Sequence, residues 1–121
     1  MTTAGFGRIV NLAARSGLVG VARSGHYAAA KAGIVGLTRS LAKELGPDGI
    51  LVNCVAPTVL LTVKEGVPSV PDERAAEMAK TLPLRRLATP EDLAATVVWL
   101  GSAANTYVTG ETVSLTGGDQ R

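Results

Sequence analysis

Aromatic side chains are scarce in this sequence, with Phe, Trp and Tyr together only 3% of 121 residues. A core without rings must be built from Ala, Val, Leu and Ile, and a hydrophobic content of 46% is ample for one packed domain. The one cysteine excludes an internal disulfide. Cys54 lies in an apolar run and reads as a small buried side chain. No apolar stretch approaches the roughly 18 residues that a membrane helix needs, and the opening MTTAGFGR lacks the apolar segment of a signal peptide. A cytoplasmic location follows by default. The formal charge is only +2, Arg85 and Arg86 are the only adjacent basic pair, and no aromatics are interleaved with basic residues, so nucleic-acid binding has little support. No metal site is read.

Punctuation and periodicity divide what is present. Arg8–Ala13 (RIVNLA) suits a strand buried on both faces, and Ile50–Val55 (ILVNCV) is a second. Arg15–Gly25, with three glycines and two serines, reads as a loop whose Ser24 could cap the next helix. That helix is expected over about His26–Leu45, where Ile34, Leu37, Leu41 and Leu45 recur at three- and four-residue steps. Gly46-Pro47-Asp48-Gly49 ends it with a tight turn. A long helix between two apolar strands is the pattern of a right-handed parallel βαβ unit. Thr58–Val70 lacks periodicity and reads as a mobile segment, with Val63, Val67 and Val70 as candidates to line a lid, followed by a short helix near Pro71–Lys80. Thr89-Pro90-Glu91-Asp92 is a helix start: Thr as N-cap, Pro at the first position, acids in the first turn. That helix is expected to bury Leu93, Val97 and Leu100, with Trp99 on one flank, and Thr112–Leu115 forms a last short strand.

Tyr27 and Lys31 stand four apart in HYAAAKAG, at the head of the long helix. Residues at i and i+4 share one helical face. A cation beside a phenol favours the phenolate, which suits a tyrosine to proton transfer near neutral pH. His26 points about a hundred degrees away around the helix and reads as a surface residue. Asn11 and Asn53 lie in strands and are expected to satisfy nearby backbone.

The pair sits within a series of segments: GRIVN at Gly7–Asn11, LVNCVAPT at Leu51–Thr58, PLRRLATPEDLA at Pro83–Ala94 and VTGETVSLTGG at Val108–Gly118. In this order and at about this spacing they resemble the C-terminal half of a short-chain dehydrogenase/reductase. The resemblance implies an α/β fold, the C-terminal part of a Rossmann-like doubly wound parallel sheet with three strands and flanking helices. It implies an NAD(P)-dependent oxidoreductase that interconverts a carbonyl and an alcohol, with NAD or NADP as cofactor. The partners implied are a small-molecule carbonyl or alcohol substrate and a homo-oligomer. Small residues on several sides of the long helix (Ala28, Ala29, Ala32, Gly33, Gly36) would let a second helix approach.

In the family the tyrosine matched by Tyr27 is the general acid/base, and the lysine matched by Lys31 hydrogen-bonds the nicotinamide ribose. Pro57 and Thr58 match the Pro-Gly after the second strand, with Thr in place of Gly, a variant that sugar and polyol reductases of the family carry. By the same resemblance the backbone of Leu60 and the hydroxyl of Thr62 meet the nicotinamide carboxamide. Two features depart from the pattern. The serine expected thirteen residues before the tyrosine is Ala14, and Ser16 could substitute only with a shift of the loop. The glycine-rich turn that receives the pyrophosphate is not found after any strand, since Gly5 and Gly7 have none before them. The chain therefore reads as one partial domain spanning residues 1–121, either the C-terminal half of an oxidoreductase or a non-catalytic fragment acting through oligomerisation.

Overall fold

The computed structural model describes residues 1–119. Its main sheet has three parallel strands in the order β1-β2-β5: β1 (Gly7–Leu12), β2 (Ile50–Pro57) and β5 (Thr112–Leu115). Between β1 and β2 run a short helix α1 (Ser16–Val19) and the long helix α2 (Gly25–Leu45). After β2 come a small antiparallel hairpin, β3 (Val63–Lys64) with β4 (Val67–Pro68), then α3 (Asp72–Thr81) and α4 (Pro90–Gly101). No described helix is long and apolar enough to cross a membrane.

Alternation along the strands sorts the two faces of the sheet. Ile50, Val52, Cys54 and Ala56 point toward α2, where Val35 and Ala42 complete two buried clusters with Ala13 and the half-buried Ile9, Ile34, Leu41 and Leu45. Asn11 points the same way and donates to Thr38 Oγ1 at 3.0 Å, while that hydroxyl donates to the Ile34 carbonyl at 2.8 Å. Asn11 therefore serves a helix side chain rather than strand backbone. Burial pushes the Cys54 thiol up from its ordinary pKa, against opposing hydrogen bonds from Ala13 and Thr38, so it stays protonated and inert. On the other face Arg8 reaches the carbonyls of Ser102 and Asn105, and Gly101 lies against Val10, which seats α4. With α2 on one face and α4 on the other, the sheet is doubly wound.

Boundaries differ from the sequence reading where short elements intervene. The expected loop at Arg15–Gly25 contains α1, and the expected mobile segment contains the β3–β4 hairpin. Ser24 occupies the N-cap position of α2 but its side chain makes no capping hydrogen bond. Gly17 explains why α1 forms where it does. A Cβ there would lie 2.7 Å from the backbone of Lys31 and Ala32, so only glycine lets α1 press on α2. In α4, Leu100 alone is buried, while Leu93 and Val97 are half-buried and Trp99 is exposed.

The start of α4 is a capping box: Thr89 Oγ1 accepts from the Asp92 amide, and Asp92 Oδ2 accepts from the Thr89 amide at 2.9 Å. Arg86 adds two contacts to the same carboxylate, at 2.5 and 2.9 Å. The Arg86 guanidinium, reinforced by the Thr89 amide, holds the Asp92 carboxyl well below the usual carboxylate range.

Two predictions follow from these contacts. A carboxyl whose folded pKa is depressed stabilises the fold above its unfolded value of about 4, and that contribution is lost as pH falls through the folded value. The urea midpoint of the wild type should therefore decline from pH 5 toward pH 2.5 more steeply than that of Asp92→Asn. Gly17→Ala should destabilise by about 1–3 kcal/mol, since the clash is with backbone that cannot turn away, as thermal or urea unfolding would register.

Candidate functional site

The carboxyl ends of the parallel strands are where open α/β sheets bind ligands, and here several backbone segments converge on them. β1 continues past Leu12, with the Ala13 amide donating to the Val55 carbonyl at 2.9 Å and the Arg15 amide to Pro57 at 3.0 Å. On the other side the Thr58 amide donates to the Leu115 carbonyl at 3.1 Å. Ala14, Pro57, Thr58 and Leu115 thus end together at one rim of the sheet.

The first turn of α2 is brought to the same rim. Lys31 Nζ donates to the Leu12 carbonyl at 3.3 Å and lies 5.6 Å from the centre of the Tyr27 ring. The ammonium is thereby held between the end of β1 and the face of the tyrosine. α1 closes on this turn from outside, through the contact of Gly17 with Lys31 and Ala32. Tyr27 remains 45% exposed, and His26 is exposed.

Two positions matter at this rim. Ala14 offers none. Ser16, two residues on, has its Oγ buried without a hydrogen-bond partner among the described residues. Such an orphan costs about 1–3 kcal/mol in a closed site, and it lies on the segment that follows Ala14.

Leu60 and Thr62 lie farther along the chain. The Leu61 amide donates to the Ala88 carbonyl at 2.8 Å, and Ser69 binds the Leu60 carbonyl and the Thr62 amide, each at 3.0 Å. Among the described residues the Leu60 amide and the Thr62 hydroxyl carry no hydrogen bond, and none links either residue to Tyr27 or Lys31. Those two donors are free for a carboxamide, and Lys31, with three N–H donors and one on Leu12, retains two for a ribose. The residues present therefore fit the nicotinamide end of a dinucleotide.

Sequence reasoning missed three contributors. Ser69 and Ala88 anchor the Leu60–Thr62 segment, and Arg15 pairs with Asp119 at 3.5 Å beside a pocket of about 200 Å³ that Leu18, Val19, Ser114 and Thr116 help to line. All three act between residues distant in sequence, and no local pattern announces them. A second cavity, of about 280 Å³, is walled by α4 and the Leu82–Arg86 turn; Thr58 reaches it, but Tyr27 and Lys31 do not.

Comparison with known proteins bears on the family and the fold. Residues 1–119 match the family described as enoyl-(acyl carrier protein) reductase. The 3-oxoacyl-acyl-carrier-protein reductase FabG of Pseudomonas aeruginosa is 42% identical over 118 residues, covering 98% of this chain and 47% of that protein. The acetoacetyl-CoA reductase of an Acinetobacter species is 42% identical over 112 residues, covering 93% of this chain and 44% of that protein. The crystal structure of the 3-oxoacyl-acyl-carrier-protein reductase from Brucella melitensis superposes with a TM-score of 0.83 at 38% identity, covering 98% of this chain and 44% of that one. This chain thus spans about half the length of the relatives it matches. It belongs to the short-chain dehydrogenase/reductase family, matching the C-terminal half of its members.

Proposed function

We propose that this chain carries the proton-transferring, nicotinamide-facing part of an NAD(P)-dependent oxidoreductase that interconverts a carbonyl and an alcohol. The observation that carries the reading is the Tyr27–Lys31 pair at the carboxyl rim of the sheet, with Lys31 tied to the Leu12 carbonyl. When bound, the nicotinamide supplies or accepts a hydride at the substrate carbon. Tyr27 gives the matching proton to the substrate oxygen, or takes it back in the reverse direction. Lys31 binds the ribose. Pro57 and Thr58 form the floor beneath the ring, while the Leu60 amide and Thr62 hydroxyl hold its carboxamide. The names of the relatives make a 3-oxoacyl thioester the first substrate to try.

Ala14 supports a second reading, a non-catalytic chain that acts through association. Alanine cannot donate to the substrate oxygen, and loss of one such donor costs about a hundred- to a thousandfold in rate. One experiment separates the readings. The N-terminal half of the Pseudomonas aeruginosa relative is fused ahead of Met1, and NADPH oxidation is followed with acetoacetyl-CoA. Tyr27→Phe should lower the rate by about 10²–10⁴, and Ala14→Ser should raise it. An unchanged rate in Ala14→Ser together with a loss in Ser16→Ala would move the donor role to Ser16. Full activity in Tyr27→Phe would overturn the mechanism. Silence in both the fusion and its Ala14→Ser variant would favour the non-catalytic reading.

Self-association through α2 is part of the proposal. Leu37 is 53% exposed, and beside it Gly33 and Gly36 face open space. A second copy could approach that face closely and cover the leucine. Sedimentation velocity should show dimers or larger species at high concentration, with Leu37→Arg shifting them toward monomer. A wild type that stays monomeric throughout would sink this part.

A further inference from the structure

The segment between β2 and α3 has little to hold it in place by packing. β3 and β4 pair through only two residues each, Val63 with Pro68 and Lys64 with Val67. Their turn places Glu65 and Gly66 at φ of 53° and 79°, the left-handed geometry of a tight hairpin. Val63 and Val67 are 69% and 66% exposed, so the hairpin itself buries little apolar surface; Val70, next to Ser69 at its base, is the valine that is buried. An isolated two-stranded hairpin is marginal in water. Its order must come from the base.

Ser69 is at that base. Its hydroxyl donates to the Leu60 carbonyl at 3.0 Å and accepts from the Thr62 amide at 3.0 Å, and its own amide donates to the Thr62 carbonyl at 2.7 Å. From outside, the Leu61 amide is held on the Ala88 carbonyl. The peptide group joining Leu60 and Leu61 is thus fixed at both its oxygen and its nitrogen, and the next one at its nitrogen. Among the described residues, the donors of this segment left without a hydrogen bond are the Leu60 amide and the Thr62 hydroxyl.

We propose that Ser69 is a positioning residue of the nicotinamide site: its hydroxyl clasps the Leu60–Thr62 segment so that the Leu60 amide and Thr62 hydroxyl are aimed at the cofactor carboxamide. This rests on the oxidoreductase reading above. Ser69 touches neither cofactor nor substrate. Both capacities of its hydroxyl are spent on backbone, so its effect passes through Leu60 and Thr62. The exposed hairpin beyond it is free to vary without disturbing the aim.

The test uses the 121-residue chain and reduced nicotinamide mononucleotide, the half of the cofactor that its residues face, with amide exchange and amide chemical shifts read by NMR. Ser69→Ala should speed exchange of the Thr62 amide about tenfold, leaving the Cys54 and Val55 amides of β2 unchanged. It should also diminish the nucleotide-induced shifts at Leu60 and Thr62 while those at Tyr27 and Lys31 persist. Ser69→Thr, which keeps the hydroxyl, should restore both. Unaltered Thr62 exchange in Ser69→Ala would overturn the clasp. A loosened Thr62 with unaltered nucleotide response at Leu60 and Thr62 would overturn the positioning role. A wild type with no response at any residue would instead remove the nicotinamide reading, and the cofactor half of this proposal with it.

Discussion

The carboxamide of Asn53 is enclosed at the middle of the central strand, and the rest of the sheet depends on it. Its Nδ2 donates to the Val108 carbonyl at 2.7 Å and its Oδ1 accepts from the Glu111 amide at 3.1 Å. A buried amide left unpaired would be costly, so these two bonds are obligatory once the strand is covered. They fix where the last segment meets β2. The Gly110 amide then reaches Val52 at 2.7 Å, the Cys54 amide reaches Glu111 at 2.8 Å, and β5 enters in register. Asn105 extends the arrangement. Its side chain ties Leu100 to Val108, and its carbonyl receives Arg8 from β1. One polar network thereby ties β1, the middle of β2, the approach to β5 and the end of α4 together.

Register set at one end is inherited at the other. Because β1, β2 and β5 run parallel, fixing where β5 joins β2, with Thr112 beside Cys54, also fixes the carboxyl ends, where Arg15 meets Pro57 and Thr58 meets Leu115. The site is assembled on that rim from segments with no local reason to meet. Lys31 is the link between helix and sheet, since the ammonium that lies over Tyr27 also binds the last carbonyl of β1. A shift of one residue in β1 would carry Leu12 to the opposite face and break this contact. Precision at the proposed proton-transfer pair is therefore a property of the sheet, not of the helix alone.

Much of this was legible from residues alone, for physical reasons. α2 and α4 are long enough for periodicity to show, and the Thr89 start carries a local code of N-cap, proline and acids that the structure completes as a capping box. The parallel strands read correctly because both faces are covered and their sequences are continuously apolar. Asn53 was legible as a backbone-satisfying residue, whereas Asn11 pairs with the buried Thr38, a partner fixed only once α2 lies on the sheet. α1 was hidden because a helix of four residues has no period to detect and owes its place to the Gly17 contact. The β3–β4 hairpin was hidden for a related reason: its two-residue strands are too short to alternate, and its Glu-Gly turn lacks the usual asparagine or aspartate signal. Ser69 could not be singled out, since a loop serine becomes meaningful only when its partners are known.

Ala14 and Ser16 pose the remaining physical question at the rim. Ala14 does not disturb the Tyr27–Lys31 pair, because both are held by contacts in which Ala14 takes no side-chain part. On the oxidoreductase reading proposed above, what is lost is stabilisation of charge on the substrate oxygen, an effect of about 3–4 kcal/mol when such a donor is deleted. The unpartnered Ser16 hydroxyl carries a penalty of the same order, about 1–3 kcal/mol, for as long as it stays buried without an acceptor. A ligand oxygen within its reach would relieve the second cost and supply part of the first. That coupling would tie occupancy of the site to the placement of α1, because Ser16 begins the helix that Gly17 presses against Lys31. The alanine therefore removes a donor from the rim while leaving in place the contacts that hold Tyr27 and Lys31.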